Sequence, residues 1–182
     1  MAGRRFARIF RWWAAGLFGL GGLRASAEEV FLAPEAFVAN AFAGVGEPET
    51  KRLWLTPDIK PDIKRILGRD YAALRLRYWQ YGGRTVWILE EIGKVKPITT
   101  GLVVDAGKID HVKVLVYRES HGWEVKHPFF TDQFRGAQLK ENLKLDRRID
   151  SIAGATMSVD ALRKLGQLAL YLDQQVQESA DA

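Results

Sequence analysis

"KIDHVKVLVYRE" spans Lys108–Glu119, and its pattern of side chains sets the fold class. Val112, Val114 and Val116 alternate with Lys113, Leu115 and Tyr117, the two-residue period of a strand with one face turned to a core. Three upstream stretches read the same way: "ALRLRYWQY" (73–81), "TVWILEEI" (85–92) and "TTGLVVD" (99–105). Gly82-Gly83-Arg84 lies between the first two as a hairpin turn would, and Ala106-Gly107 joins the last two. The pattern predicts four consecutive antiparallel strands between residues 73 and 117.

Helical periods flank these strands. Pro34 opens a segment in which Phe37, Val38, Ala41 and Phe42 share one helical face, and Gly44 and Gly46 close it. "PDIKPDIKRILG" (57–68) holds a doubled tetrapeptide, which a short helix from Pro61 to Gly68 explains without a repeat architecture. Residues 28–69 therefore read as an N-terminal helical segment. Near the C-terminus Leu162, Leu165, Ala169, Leu172 and Val176 form the apolar stripe of a helix over Ser158–Gln175. Gln174, Gln177 and Glu178 fall on its solvent side, and 177–182 reads as a polar tail. Residues 118–149 read as loop and short turns. Trp54, Trp79 and Trp87 sit in apolar or strand-like contexts that suit core filling. The fold class is α+β: an antiparallel sheet with packed helices, in a single domain.

The formal charge of +5 invites a nucleic-acid reading, but its distribution argues against one. Arg4, Arg5, Arg8, Arg11 and Arg24 carry the excess, while the remaining 22 basic residues balance 22 acidic ones. A phosphate-tracking surface is not expected from a balanced body. The basic stretch to Arg11 is followed by an apolar run from Trp12 to Leu23 and then by Ala25-Ser26-Ala27. This is the three-part layout of an export signal over residues 1–27, and an uncleaved amphipathic anchor is the other reading of it. Either way the expected location is the periplasm or the outer face of the cytoplasmic membrane. No cysteine is present, which rules out disulfides, thiolate metal sites and iron–sulfur clusters. Redox chemistry in this chain would need an organic cofactor.

The stretch "DSIAGATMSVDAL" (150–162) carries the chemistry. Read for helix caps alone, Ser158 is an N-cap and Gly154-Ala155 shape the turn before it. Thr156 is not needed for that cap, and Gly154 and Ala155 leave little bulk beside it. The helix start downstream offers unpaired amides and a positive dipole end to a phosphate, against which Asp160 competes. A hydroxyl, clear space and an anion-favouring helix start are what a phosphoester attachment needs.

The run from Asp150 to Thr156 resembles the flavinylation motif of the FMN-binding domain family, which includes the flavin-carrying subunits of sodium-pumping NADH:quinone oxidoreductase and of the Rnf complex. Asp150 opens the motif, Gly154 and Ala155 are its small pair, and Thr156 matches the threonine esterified through the FMN phosphate; Ala153 stands where serine or threonine is usual. "YRESHGWEVKHPFFTDQFRG" (117–136) resembles a second family element: Glu119, Ser120 and Gly122 match its loop, His121 replaces a proline, and Phe134 and Gly136 fit the later part. The resemblance covers about residues 70–176. It implies covalent FMN on Thr156, attached by a flavin transferase that uses FAD and a divalent metal. It also implies a role in electron transport with membrane or periplasmic electron-transfer proteins, without a stand-alone enzymatic activity. Glu119, Ser120, His121 and Ser158 become expected flavin contacts. A non-covalent flavin or ligand site, and a redox-silent interaction domain, are the two rival readings. Trp123 with Phe129 or Phe130 is a candidate wall for the flavin ring. Ser120 and His121 lack partners at the spacing of a hydrolase triad, and His111, His121 and His127 are too irregularly spaced for a metal site.

Overall fold

Two tight turns fix the centre of the sheet in this computed structural model, which describes residues 28–181. The proposed export signal lies outside the described residues. Arg75–Tyr81 and Arg84–Ile92 pair through Tyr81↔Arg84, leaving Gly82 and Gly83 as the turn. Pro97–Asp105 and Lys108–Tyr117 close on Asp105↔Lys108, with Ala106 and Gly107 both at positive φ, the conformation a two-residue hairpin demands. All four expected strands are present and antiparallel.

Two further strands extend the sheet. In chain order the elements are β1 (Glu29–Val30), α1 (Pro34–Phe42), β2 (Glu49–Trp54), α2 (Lys60–Leu67), β3 to β6 (the four strands above), α3 (Pro128–Thr131) and α4 (Thr156–Asp181). The sheet order is β1-β6-β5-β4-β3-β2. The segment 28–69 thus holds two edge strands beside its two helices. Strand β2, "ETKRLW", buries only Leu53 fully, so it has no apolar alternation to read; charged, mostly exposed residues are what an unpaired edge tolerates. Trp54 on this edge is 58% exposed, correcting its expected place in the core, whereas Trp87 is wholly buried and stacks on Tyr78.

The two sheet faces are covered differently. Helix α1 lays Phe37, Val38 and Phe42 against Val86, Val103, Leu115 and Val116. The other face carries the larger core, built with α2 and α4 and closed by Val125, Phe130 and Phe134 from the loop after β6. Helix α4 buries the expected stripe of Leu162, Leu165, Ala169, Leu172 and Val176. It starts two residues before Ser158 and continues through Asp181, so the expected polar tail is helical as far as that residue. Among the described residues no helix is long and apolar enough to cross a membrane.

Strand β6 does not keep the simple alternation its sequence suggests. Thr99 pairs with Val116 but Thr100 pairs with Val114, leaving Leu115 as an extra residue. This bulge puts both Leu115 and Val116 on the α1 side and returns Tyr117 to the α4 side with Val112 and Val114. The carbonyl of Leu115 accepts the amide of Phe31 at 2.8 Å, which ties in the chain beside β1.

Candidate functional site

The bulge aims Tyr117 at the start of α4. Its hydroxyl donates to the His121 carbonyl at 2.5 Å, which leaves Ser158 Oγ to donate to the Tyr117 oxygen at 2.9 Å. Burial raises the Tyr117 phenol above its ordinary value despite the opposing hydrogen bond with Ser158, so the phenol keeps its proton. Gly122 follows in the left-handed region at φ +83°, where a Cβ would lie 2.7 Å from Ser158 Oγ. Glycine is required there twice over, by conformation and by space.

The start of α4 is set by the turn before it. Gly154 at φ +80° turns the chain, the Ala155 amide donates to Ile152 O at 3.0 Å, and the first helical bond runs from Val159 N to Ala155 O at 2.9 Å. Thr156 is therefore the first helical residue, and its side chain is exposed. Ser158 is not the N-cap expected from the sequence. It is the third residue of the helix, 3% exposed, with its hydroxyl committed to Tyr117. The residue at the cap position is Ala155, which has no side-chain acceptor. The amides of Thr156, Met157 and Ser158 thus open a 26-residue helix without intrahelical partners. Asp160 lies beyond the first turn, which contains no acid, and it pairs with Arg163.

A cavity of about 590 Å³ sits in front of this helix start, within the several-hundred-Å³ range of small-molecule sites. Glu119, Ser120 and His121 line one side, and Gly154, Ala155, Thr156, Met157 and Ser158 line another. Seven of the eight residues singled out from sequence therefore meet at one place. Asp150 is absent from the lining: it is exposed, with Arg148 at 3.7 Å and its own amide on Gln133 Oε1 at 2.7 Å. Lys94 and Val95 of the β4–β5 turn complete the wall, and sequence reasoning missed them because a turn lysine carries no distinguishing pattern.

Glu119 turns out to organise that wall. Its Oε1 accepts the amides of Val95 at 2.6 Å and Lys96 at 2.8 Å. Burial pulls its carboxyl upward, but the amides of Lys96, Val95 and Lys94 together with the Lys94 charge outweigh it, so the group ionises below its ordinary value. With Glu119 so committed, the Ser120 Oγ···His121 Nδ1 contact of 2.9 Å has no acid from this triplet behind it. Lys94 is the one cation in the lining. Among the described residues no group of three metal-ligating side chains occurs. Phe130 is buried edge-on to Phe134, while Trp123 and Phe129 are exposed to either side of His127; none of the three lines the cavity.

Residues 93–171 match the family model described as "FMN-binding domain". The match runs from the β4–β5 turn into α4 and takes in every residue of the cavity lining. Comparison with curated proteins and with solved structures returned no match. The residues present fit FMN chemically. Lys94 and the free amides at the start of α4 suit its phosphate, Ser120 and His121 offer polar contacts to its ribityl chain, and Val95, Ala155 and Met157 offer apolar surface to its ring.

Proposed function

We propose that this FMN-binding domain carries its flavin covalently, as a phosphoester on Thr156, and serves as an exported electron carrier. The observation that supports attachment is the position of one hydroxyl. Thr156 is exposed at the mouth of the cavity, on the first residue of α4, with a glycine and an alanine before it. Attachment exchanges the hydroxyl proton for phosphorus: the Oγ1–P bond forms, the pyrophosphate link of FAD breaks, and AMP leaves with the bonding pair. The flavin transferase and its divalent metal bring that chemistry. The chain contributes the oxygen, an uncapped helix end that favours the resulting anion, and Lys94 nearby.

When bound, FMN supplies the redox couple. Ser120 and His121 would hold the polar chain of the flavin, and Val95 and Met157 would shield its ring from water. Outside the cytoplasm free FMN is scarce, and a reversible site would empty by mass action; a covalent link prevents that. This agrees with the export signal read in residues 1–27 and with electron-transfer partners at the outer face of the cytoplasmic membrane.

The test is expression with and without a flavin transferase in the same compartment, followed by denaturing gel fluorescence and intact mass. The wild-type chain is expected to gain the mass of one FMN less water and to fluoresce after denaturation. Thr156→Ala is expected to fold and stay dark. Colour lost entirely on denaturing the wild type supports the non-covalent rival instead, and a Thr156→Ala band as bright as wild type overturns the assignment.

A further inference from the structure

We infer that Tyr117 is the positioning residue for flavin attachment, holding the Thr156 hydroxyl in the orientation from which it is modified. The inference rests on the reading of Thr156 as the acceptor. Thr156 is exposed and opens its helix, so neither burial nor a side-chain cap at Ala155 fixes its direction. The first side chain of α4 that is both buried and hydrogen-bonded is Ser158, two residues on, and its partner is the Tyr117 hydroxyl at 2.9 Å. That hydroxyl also holds His121 O at 2.5 Å, so a single oxygen joins the two walls of the cavity. The arrangement is built at some expense to regular structure. Strand β6 carries the extra residue Leu115, without which Tyr117 would face α1, and Gly122 leaves the space that Ser158 Oγ occupies.

Tyr117 is not itself in the cavity lining and has no hydrogen bond to Thr156; it acts through His121 and Ser158, which are in the lining. Its effect belongs to orientation, which changes the rate of a transfer step more than the binding of its reactants. Tyr171 provides a matched comparison. It is a buried tyrosine far along α4, whose hydroxyl donates to Ile59 O at 3.4 Å, remote from the cavity.

The experiment uses the full chain purified without flavin, then treated with a flavin transferase, FAD and a divalent cation. Tyr117→Phe is expected to lower kcat for transfer about 10-fold or more, with KM for the chain changed less than about twofold. Tyr171→Phe is expected to leave both unchanged. Amide exchange in the unmodified Tyr117→Phe chain is expected to rise at 119–122 and 156–159 and nowhere else. If Tyr117→Phe does not fold, Ser158→Ala removes the same link to the helix and is expected to slow transfer likewise. Equal rates for wild type and the folded Tyr117 or Ser158 variant overturn this inference alone. So does an equal loss in Tyr171→Phe, which marks general destabilisation. A wild-type chain that is never modified overturns the proposed function as well.

Discussion

At the scale of single residues, the side chains that resemble flavin contacts divide into those that face the cavity and those that build it. Thr156, Ser120 and His121 present free surface, whereas Ser158 and Glu119 spend their polar atoms on the protein. Glu119 gives a direct check. A glutamine there can keep its one oxygen on the Val95 and Lys96 amides, which both bond Glu119 Oε1, but it loses the charge those donors stabilise and puts an NH2 group in place of Oε2. Glu119→Gln should cost about 1–2 kcal/mol of stability at pH 7 and speed exchange of the Val95 and Lys96 amides. The folded carboxyl ionises below its ordinary value of 4.5, so its contribution is complete above that pH and is lost as pH falls through the folded value. Urea unfolding of both proteins at pH 7 and pH 3 should therefore show a gap that closes in acid. A gap of the same size at both values would mean that the charge is not what holds the turn.

At the scale of elements, the contact between α1 and the sheet is set by Gly101 in β5. A Cβ on Gly101 would lie 2.4 Å from Phe37 Cε1, so the ring of α1 crosses the strand where a side chain would stand. Gly101→Ala should cost about 1–3 kcal/mol by overpacking, and Phe37→Ala about 3–5 kcal/mol by leaving a hole. The double variant should cost clearly less than the two together, because the new methyl enters the vacated space; denaturant unfolding of the four proteins gives the coupling. Strict additivity would show that Phe37 moves aside freely. The same elements show what could be read from sequence. The turns at Gly82-Gly83 and Ala106-Gly107 and the stripe of α4 follow from local chemistry, and all were legible. The bulge at Leu115 was not, since an added valine-like residue in an apolar strand leaves the alternation outwardly intact while reversing the side of Tyr117. The start of α4 was misplaced for a related reason: a serine three residues into a helix resembles a cap until its partner across the fold is known.

At the scale of the whole molecule, α4 is fastened to the sheet side at both ends, and the two fastenings have different chemistry. The N-terminal one is the neutral Tyr117–Ser158 link beside the cavity. Toward the other end, Asp173 is 1% exposed and accepts Thr85 Oγ1 at 2.7 Å and Gln177 Nε2 at 3.2 Å, while Trp87 Nε1 donates to Thr85 at 2.9 Å. Burial raises the Asp173 carboxyl above its ordinary value, against the two hydrogen bonds that favour the charged form. A raised carboxyl binds its proton more tightly folded than unfolded, so the folded state loses stability as pH rises from the ordinary value through the raised one. This slope is opposite to that of Glu119. Asp173→Asn keeps an oxygen for Thr85 and Gln177 and removes the buried charge, so its stability should gain on wild type between pH 4 and pH 8. Asp173→Ala should instead lose about 1–3 kcal/mol at both values, because it strands the buried Thr85 hydroxyl. Unfolding free energies at the two pH values separate these outcomes, and parallel profiles for wild type and Asp173→Asn would show that Asp173 does not titrate differently in the fold. Because this carboxylate lies at the opposite end of α4 from Thr156, none of these changes should alter flavin attachment, which makes Asp173→Asn a way to vary global stability without touching the cavity.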